Sequence, residues 1–132
     1  MKRVACALFA FSLIASSATA QTSIRPGERV QGVLDATDRT LADGSRYDCF
    51  TLLAAAGESV VITLKSSEFD AYLSITGGTD CTNPVALGTD DDSAGGSDAQ
   101  IRMTLGPGAH SFRANAYRAG QGGRYELVVE RR

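Results

Sequence analysis

The stretch Glu68-Phe69-Asp70-Ala71-Tyr72-Leu73-Ser74-Ile75 places apolar residues at 69, 71, 73 and 75, with polar or aromatic ones between them. A period of two predicts a β-strand with one buried and one wet face. Working outward, the pattern recurs. Val60, Ile62 and Leu64 precede the stretch; Ile101, Met103 and Leu105, then Phe112, Ala114 and Ala116, then Tyr125, Leu127 and Val129 follow it. Val30, Gly32 and Leu34 make an earlier strand, Tyr47 to Leu53 another with Phe50 and Leu52 on one face, and Val85 to Gly88 a short one. Pro26-Gly27, Asp43-Gly44, Gly57, Gly77-Gly78, Gly106-Pro107-Gly108 and Gly120-Gln121-Gly122-Gly123 punctuate the runs. Ala54-Ala55-Ala56 is too short to be a helix, and Gly57 ends it. About eight short strands so spaced predict an all-β fold: antiparallel strands in a jelly-roll-like β-sandwich.

The first twenty residues stand apart. Lys2 and Arg3 form a basic n-region, Val4 to Ile14 an apolar h-region, and Ala18-Thr19-Ala20 a small-x-small cleavage site. This predicts a signal peptide over 1–20, a short N-terminal segment over 21–27 and one sandwich domain over 28–130. The apolar run is too short to span a bilayer comfortably, and no second long one follows. The exported chain carries 11 basic and 15 acidic residues, a net charge of −4. No basic patch argues for nucleic acid or anionic lipid. The expected location is the periplasm or the medium.

Two cysteines remain after residue 20, Cys49 and Cys81. An oxidising compartment favours a disulfide between them over two free thiols. Such a bridge would tie the second main strand to the loop after the fourth and contribute about 3 kcal/mol through chain entropy.

The ordered set Tyr47-Asp48-x-Phe50-x-Leu52, Ala56-Gly57-Glu58, Val60-x-Ile62-x-Leu64, Phe69-Asp70-Ala71-Tyr72-Leu73, Asp91-Asp92, Asp98-x-x-Ile101, Gly108-x-His110-x-Phe112, Ala116-Tyr117 and Gly123-x-Tyr125-x-Leu127 covers nearly all of 28–130. It resembles the bacterial pre-peptidase C-terminal domain family. The resemblance implies a β-sandwich module of the kind usually appended to secreted peptidases and related to the collagen-binding domains of clostridial collagenases. Here no peptidase is attached, so the module is expected to stand alone. His110 also departs from the family, which more often has an aromatic residue there.

Asp90, Asp91, Asp92 and Asp98, with Asp70, gather carboxylates around one glycine-rich loop. Calcium takes six to eight oxygens, and such a loop can add carbonyls. The spacing is not that of an EF-hand: counting from Asp90, Asp92 and Gly95 fit positions three and six, while Ala94 and Ile101 fail five and twelve. The residues alone favour a solvated turn whose Asp side chains bond their own backbone. Some relatives in the family bind calcium, so the resemblance implies a calcium site made from these five aspartates.

Tyr72 and Tyr117 fall opposite the apolar sets of their strands. Tyrosines on an outer sheet face suit binding of an extended peptide or sugar, though the residues alone favour their covering the sandwich edge or pairing across strands. Tyr125 and Phe112 share parity with the core. Catalysis finds little support. The single histidine, His110, sits at a strand start, and the aspartates lie in a glycine-rich loop without the apolar setting that raises a carboxyl pKa. Gly95-Gly96-Ser97-Asp98-Ala99 lacks the last glycine of a nucleophile elbow. The expectation is a non-enzyme that binds an extracellular protein or polysaccharide, or a secreted peptidase in trans. The alternative is a structural or export-assisting domain with no ligand of its own.

Overall fold

The computed structural model describes residues 22–132. The signal peptide expected over 1–20 lies outside the described residues. Ten strands follow one another: β1 (Thr22–Ile24), β2 (Arg29–Leu34), β3 (Arg39–Thr40), β4 (Arg46–Leu52), β5 (Ser59–Lys65), β6 (Ala71–Gly77), β7 (Ala86–Asp90), β8 (Ala99–Thr104), β9 (His110–Ala116) and β10 (Gly123–Arg131). They form a sandwich. One sheet runs β1-β4-β9-β6-β7 with β3 also on β4, and the other runs β2-β10-β5-β8. All pairings are antiparallel except β1 on β4.

The eight expected strands are all present, and β1 and β3 add to them. Both are short and share one edge of β4: β3 meets Arg46 and Tyr47, while β1 meets Phe50 to Leu52. Ile24 of β1 is fully buried. The segment before residue 28 therefore contributes to the core.

The inner faces follow the alternation. Val60, Ile62 and Leu64 of β5, Leu73 and Ile75 of β6, Phe112 and Ala114 of β9, and Leu127 and Val129 of β10 are buried in one cluster. Phe50 and Phe112 are directly paired across β4 and β9, with rings stacked at 5.4 Å. Each large side chain so buried contributes roughly 1.5–3 kcal/mol, which is what holds two independent sheets face to face.

The strand read as starting at Phe69 begins at Ala71. The cause is local. Ser66 Oγ accepts the amide hydrogens of Glu68 and Phe69, which curls this segment into a turn. Phe69 stays buried, edge-on to Tyr125 at 6.4 Å.

The outer face of the six-stranded sheet differs from the alternation's simple reading. Ser74, Thr76, Ser111 and Asn115 have outward parity yet are buried. Register aligns this face in cross-strand rows: Thr51–Ser111–Thr76 at one end, Cys49–Arg113–Ser74 in the middle and Tyr47–Asn115–Tyr72 at the other. The loop over 78–85 lies across the first end. Cys81 is bonded to Cys49, the Cys81 amide donates to Ser111 Oγ at 3.0 Å, Thr51 Oγ1 donates to the Thr79 carbonyl at 2.7 Å, and Thr76 Oγ1 to the Val85 carbonyl at 2.7 Å. Cys81 takes φ +60°, a left-handed conformation unfavourable for a residue with a Cβ, and the disulfide holds it there.

Candidate functional site

The uncovered end of that face carries the two tyrosines. Tyr72 stands on β6 and Tyr117 follows the last residue of β9. The Tyr117 amide donates to the Asp70 carbonyl at 2.8 Å, which fixes the turn where the chain leaves β9. Their ring centroids lie 6.0 Å apart with planes tilted by 53°. Tyr72 is half-buried and Tyr117 is 48% exposed. The tyrosines read from parity as outward-facing thus meet in space.

They line one wall of a cleft of about 420 Å³ whose other members include Leu41, Asp43, Arg113 and Asn115. Arg113 lies over the Tyr47 ring at 5.6 Å, a cation–π contact that orients the guanidinium. Its Nε is buried without a partner. Asn115 is 1% exposed; its Nδ2 donates to the carbonyls of Arg46 and Ala116, while its Oδ1 has no donor. Asp43 Oδ1 accepts both the hydroxyl and the amide of Ser45, and these bonds hold its carboxyl below the usual range, with Arg113 assisting. Arg113 and Asn115 share outward parity with Tyr117, so the sequence held a signal for them. Asp43 and Leu41 arrive from the connection between β3 and β4, which no periodicity announces.

Of the five aspartates expected to hold a metal, Asp90, Asp91 and Asp92 come together: each offers a carboxylate oxygen within 4.8 Å of the others. Asp90 ends β7, and its Oδ2 accepts the amides of Ser93 and Gln100. Burial pushes the Asp90 carboxyl up, but bonds from Ser93 and Gln100 outweigh it and leave it below its ordinary value. Asp92 is pushed up, first by repulsion from Asp91, with Asp90 and Asp70 adding to it. Asp70 is therefore near enough to be felt but outside the cluster. Asp98 turns away, accepting the Ser66 amide at 3.1 Å and so helping to cap the turn after β5. Three carboxylate oxygens are at most half of the six to eight that calcium takes, and the rest would have to come from backbone and water.

A third constellation escaped the sequence reading. Asp48 shares inward parity with Phe50 and Leu52, and accepts a hydrogen bond from the Tyr125 hydroxyl at 2.5 Å. Tyr125 reaches it across the sandwich because its register partner is Gly32, where an added Cβ would sit 2.4 Å from the ring. A cavity of about 350 Å³ opens here at the seam between the sheets, lined also by Asp38, Arg39 and Gln31. Burial raises the Asp48 carboxyl to about 6; the Tyr125 bond opposes this, and Asp38 and Asp35 reinforce it. The Tyr125 hydroxyl is raised as well, first by burial and then by Asp48. The signal was an acidic residue at core parity. His110, also inward, is buried at the start of β9 opposite Leu52.

Fold and clefts together define a two-sheet β-sandwich module with an aromatic outer cleft. The fold is shared with solved structures. The pre-peptidase C-terminal domain of a collagenase from Bacillus anthracis superposes with a TM-score of 0.61 at 19% identity, over 84% of this chain and 95% of that one. PliG of Aeromonas hydrophila, a periplasmic inhibitor of g-type lysozyme, superposes with a TM-score of 0.57 at 16% identity, over 86% of this chain and all of that one. No family model and no curated protein matches the sequence. The resemblance to the pre-peptidase C-terminal domain thus holds at the level of fold. Two proteins of different description share that fold, so function must be argued from the clefts. Among the described residues no helix is long and apolar enough to cross a membrane.

Proposed function

We propose that this chain is an exported, non-catalytic β-sandwich module that docks an extracellular polymer or protein through the Tyr72–Tyr117 face. The observation that carries the reading is the convergence of two tyrosines from β6 and the end of β9 beside a cleft that the 78–85 loop leaves open. Large amphipathic rings supply contact area at low entropic cost and are enriched where proteins bind. A collagenase domain and a lysozyme inhibitor as fold neighbours support an extracytoplasmic binding role, with a protein such as a secreted peptidase among the partners. The test is retention of the disulfide-bonded protein on immobilised polymers and proteins. Tyr72→Ala with Tyr117→Ala abolishes retention while the melting temperature stays near that of the parent. Retention that survives both changes refutes the reading.

Calcium enters the same reading as a stability element held by Asp90, Asp91 and Asp92. Three carboxylates this close repel one another, and a divalent cation relieves the repulsion. A thermal melt rises in millimolar calcium relative to EDTA, and the rise disappears in Asp92→Ala. A melting temperature indifferent to both returns the aspartates to a solvated turn.

A further inference from the structure

We infer that the cleft beside Tyr117 receives a neutral pyranose unit of a polysaccharide. The inference rests on the Tyr72–Tyr117 face being the docking surface and deepens it to a ligand class. The tilted rings, 6.0 Å apart, present an aromatic wall rather than a closed slot. A pyranose has a face of C–H hydrogens that are apolar and weakly positive, and such a face seats on the negative face of an aromatic ring. The cleft, about 420 Å³, falls within the range of small-ligand sites.

The polar groups around the wall select among ligands. Asp43 presents an exposed carboxylate, an acceptor held by Ser45. Asn115 and Arg113 line the cleft as well, with Asn115 Oδ1 and the Arg113 Nε themselves buried beneath its surface. A ligand for this set must donate and accept within a few ångströms. Neighbouring sugar hydroxyls do so, because each is both donor and acceptor. An extended proline-rich peptide presents carbonyls, and its prolines lack N–H groups, so they would offer no donor to the second oxygen of the exposed Asp43 carboxylate, whose Oδ1 is already taken by Ser45. The one carboxylate and one guanidinium cancel in charge, which favours a neutral ring over an anionic or cationic one.

The test titrates the disulfide-bonded protein with cellohexaose, xylohexaose and chitohexaose, and with a (Pro-Pro-Gly)10 peptide. Calorimetry gives the affinity. The chain has no tryptophan and four tyrosines, two of them in this cleft, so tyrosine fluorescence reports occupancy directly. At least one hexasaccharide binds; Tyr117→Ala weakens it about tenfold or more, Tyr117→Phe keeps it within about twofold, and Asp43→Asn weakens it several-fold. A melt of each variant separates loss of binding from loss of fold, and Tyr117→Phe and Asp43→Asn carry the test if Tyr117→Ala does not fold. Absence of binding to every hexasaccharide overturns the inference. Peptide binding that vanishes in Tyr117→Ala, with no saccharide bound, overturns the saccharide class and leaves the docking face standing. Binding that survives Tyr72→Ala and Tyr117→Ala overturns both.

Discussion

The outer faces of the two sheets are built from the same alternation and finished differently. On the four-stranded sheet the covering comes from the face's own side chains, which leave a shallow polar cleft of about 380 Å³ between Arg29, Thr63 and Gln100. Arg102 Nε donates to Gln100 Oε1 at 3.2 Å, Gln100 Nε2 donates to Thr63 Oγ1 at 2.9 Å, and Arg29 pairs with Glu126 at 3.5 Å. Thr63 and Val61 are buried beneath this layer. On the six-stranded sheet a loop of main chain lies over one end of the face and leaves a cleft at the other. Long side chains cover a face without ordering additional backbone. A covering loop loses backbone entropy of roughly 1–2 kcal/mol for each residue ordered. The 78–85 loop is Gly-Thr-Asp-Cys-Thr-Asn-Pro-Val, with little apolar surface to offset that loss. Its position is secured covalently, by Cys49–Cys81, and by bonds to Thr51, Thr76 and Ser111.

The sharpest way to break this comparison is to cut the staple. Cys49→Ser with Cys81→Ser should lower stability by about 3–4 kcal/mol, given the separation of 32 residues. Denaturant unfolding measures the loss, and hydrogen exchange should speed up at Thr76 and Ser111 before it does in β5 or β10. A loss below about 1 kcal/mol would mean that the loop's hydrogen bonds hold it unaided.

A smaller effect comes from the seam between the sheets. Asp48 has an ordinary carboxyl value of 3.8 and is raised to about 6 in the fold. The native state then holds its proton more tightly than the unfolded chain does. The sign follows: below about pH 4 this group costs nothing, the cost grows as pH rises from about 4 to about 6, and above that it is fully present. After discounting for solvent at a half-buried group, the cost above pH 6 is about 1–2 kcal/mol. Asp48→Asn keeps an acceptor for Tyr125 and removes the charge. It should be more stable than the parent at pH 7.5, with the gap closing toward pH 4. A gap independent of pH would show that Asp48 does not titrate in this window.

The smallest expected effect lies on the self-covered face. Arg29 and Glu126 form an exposed pair, and a double-mutant cycle to alanine should return a coupling below about 0.5 kcal/mol. A coupling above about 1 kcal/mol would make that face as interdependent as the stapled one and erase the contrast.

Much of this was legible in the residues. Period-two runs at 60–64, 101–105, 112–116 and 125–129 located strands because one buried face suffices to specify parity. Parity also put Tyr72 and Tyr117 outside, and the expectation of an oxidising compartment put Cys49 and Cys81 together. Parity says which face a side chain takes, but not what lies against that face. It therefore missed that Ser111 and Asn115 are buried on the outer side, that Asp98 caps the Ser66 turn while Asp90, Asp91 and Asp92 cluster, and that Thr22–Ile24 joins β4. Asp48 was visible as an acid at core parity, but Gly32 and Tyr125, which give it a partner, come from distant strands.

By itself, then, the sequence determined the class of fold and the inward set, because alternation and turn chemistry act within a few residues. Only the tertiary structure decided which outer face is covered, where the aromatic cleft opens and which aspartates meet. Those outcomes depend on strand order and loop paths, and on a disulfide whose halves lie 32 residues apart. They are set by long-range packing, which no local period encodes.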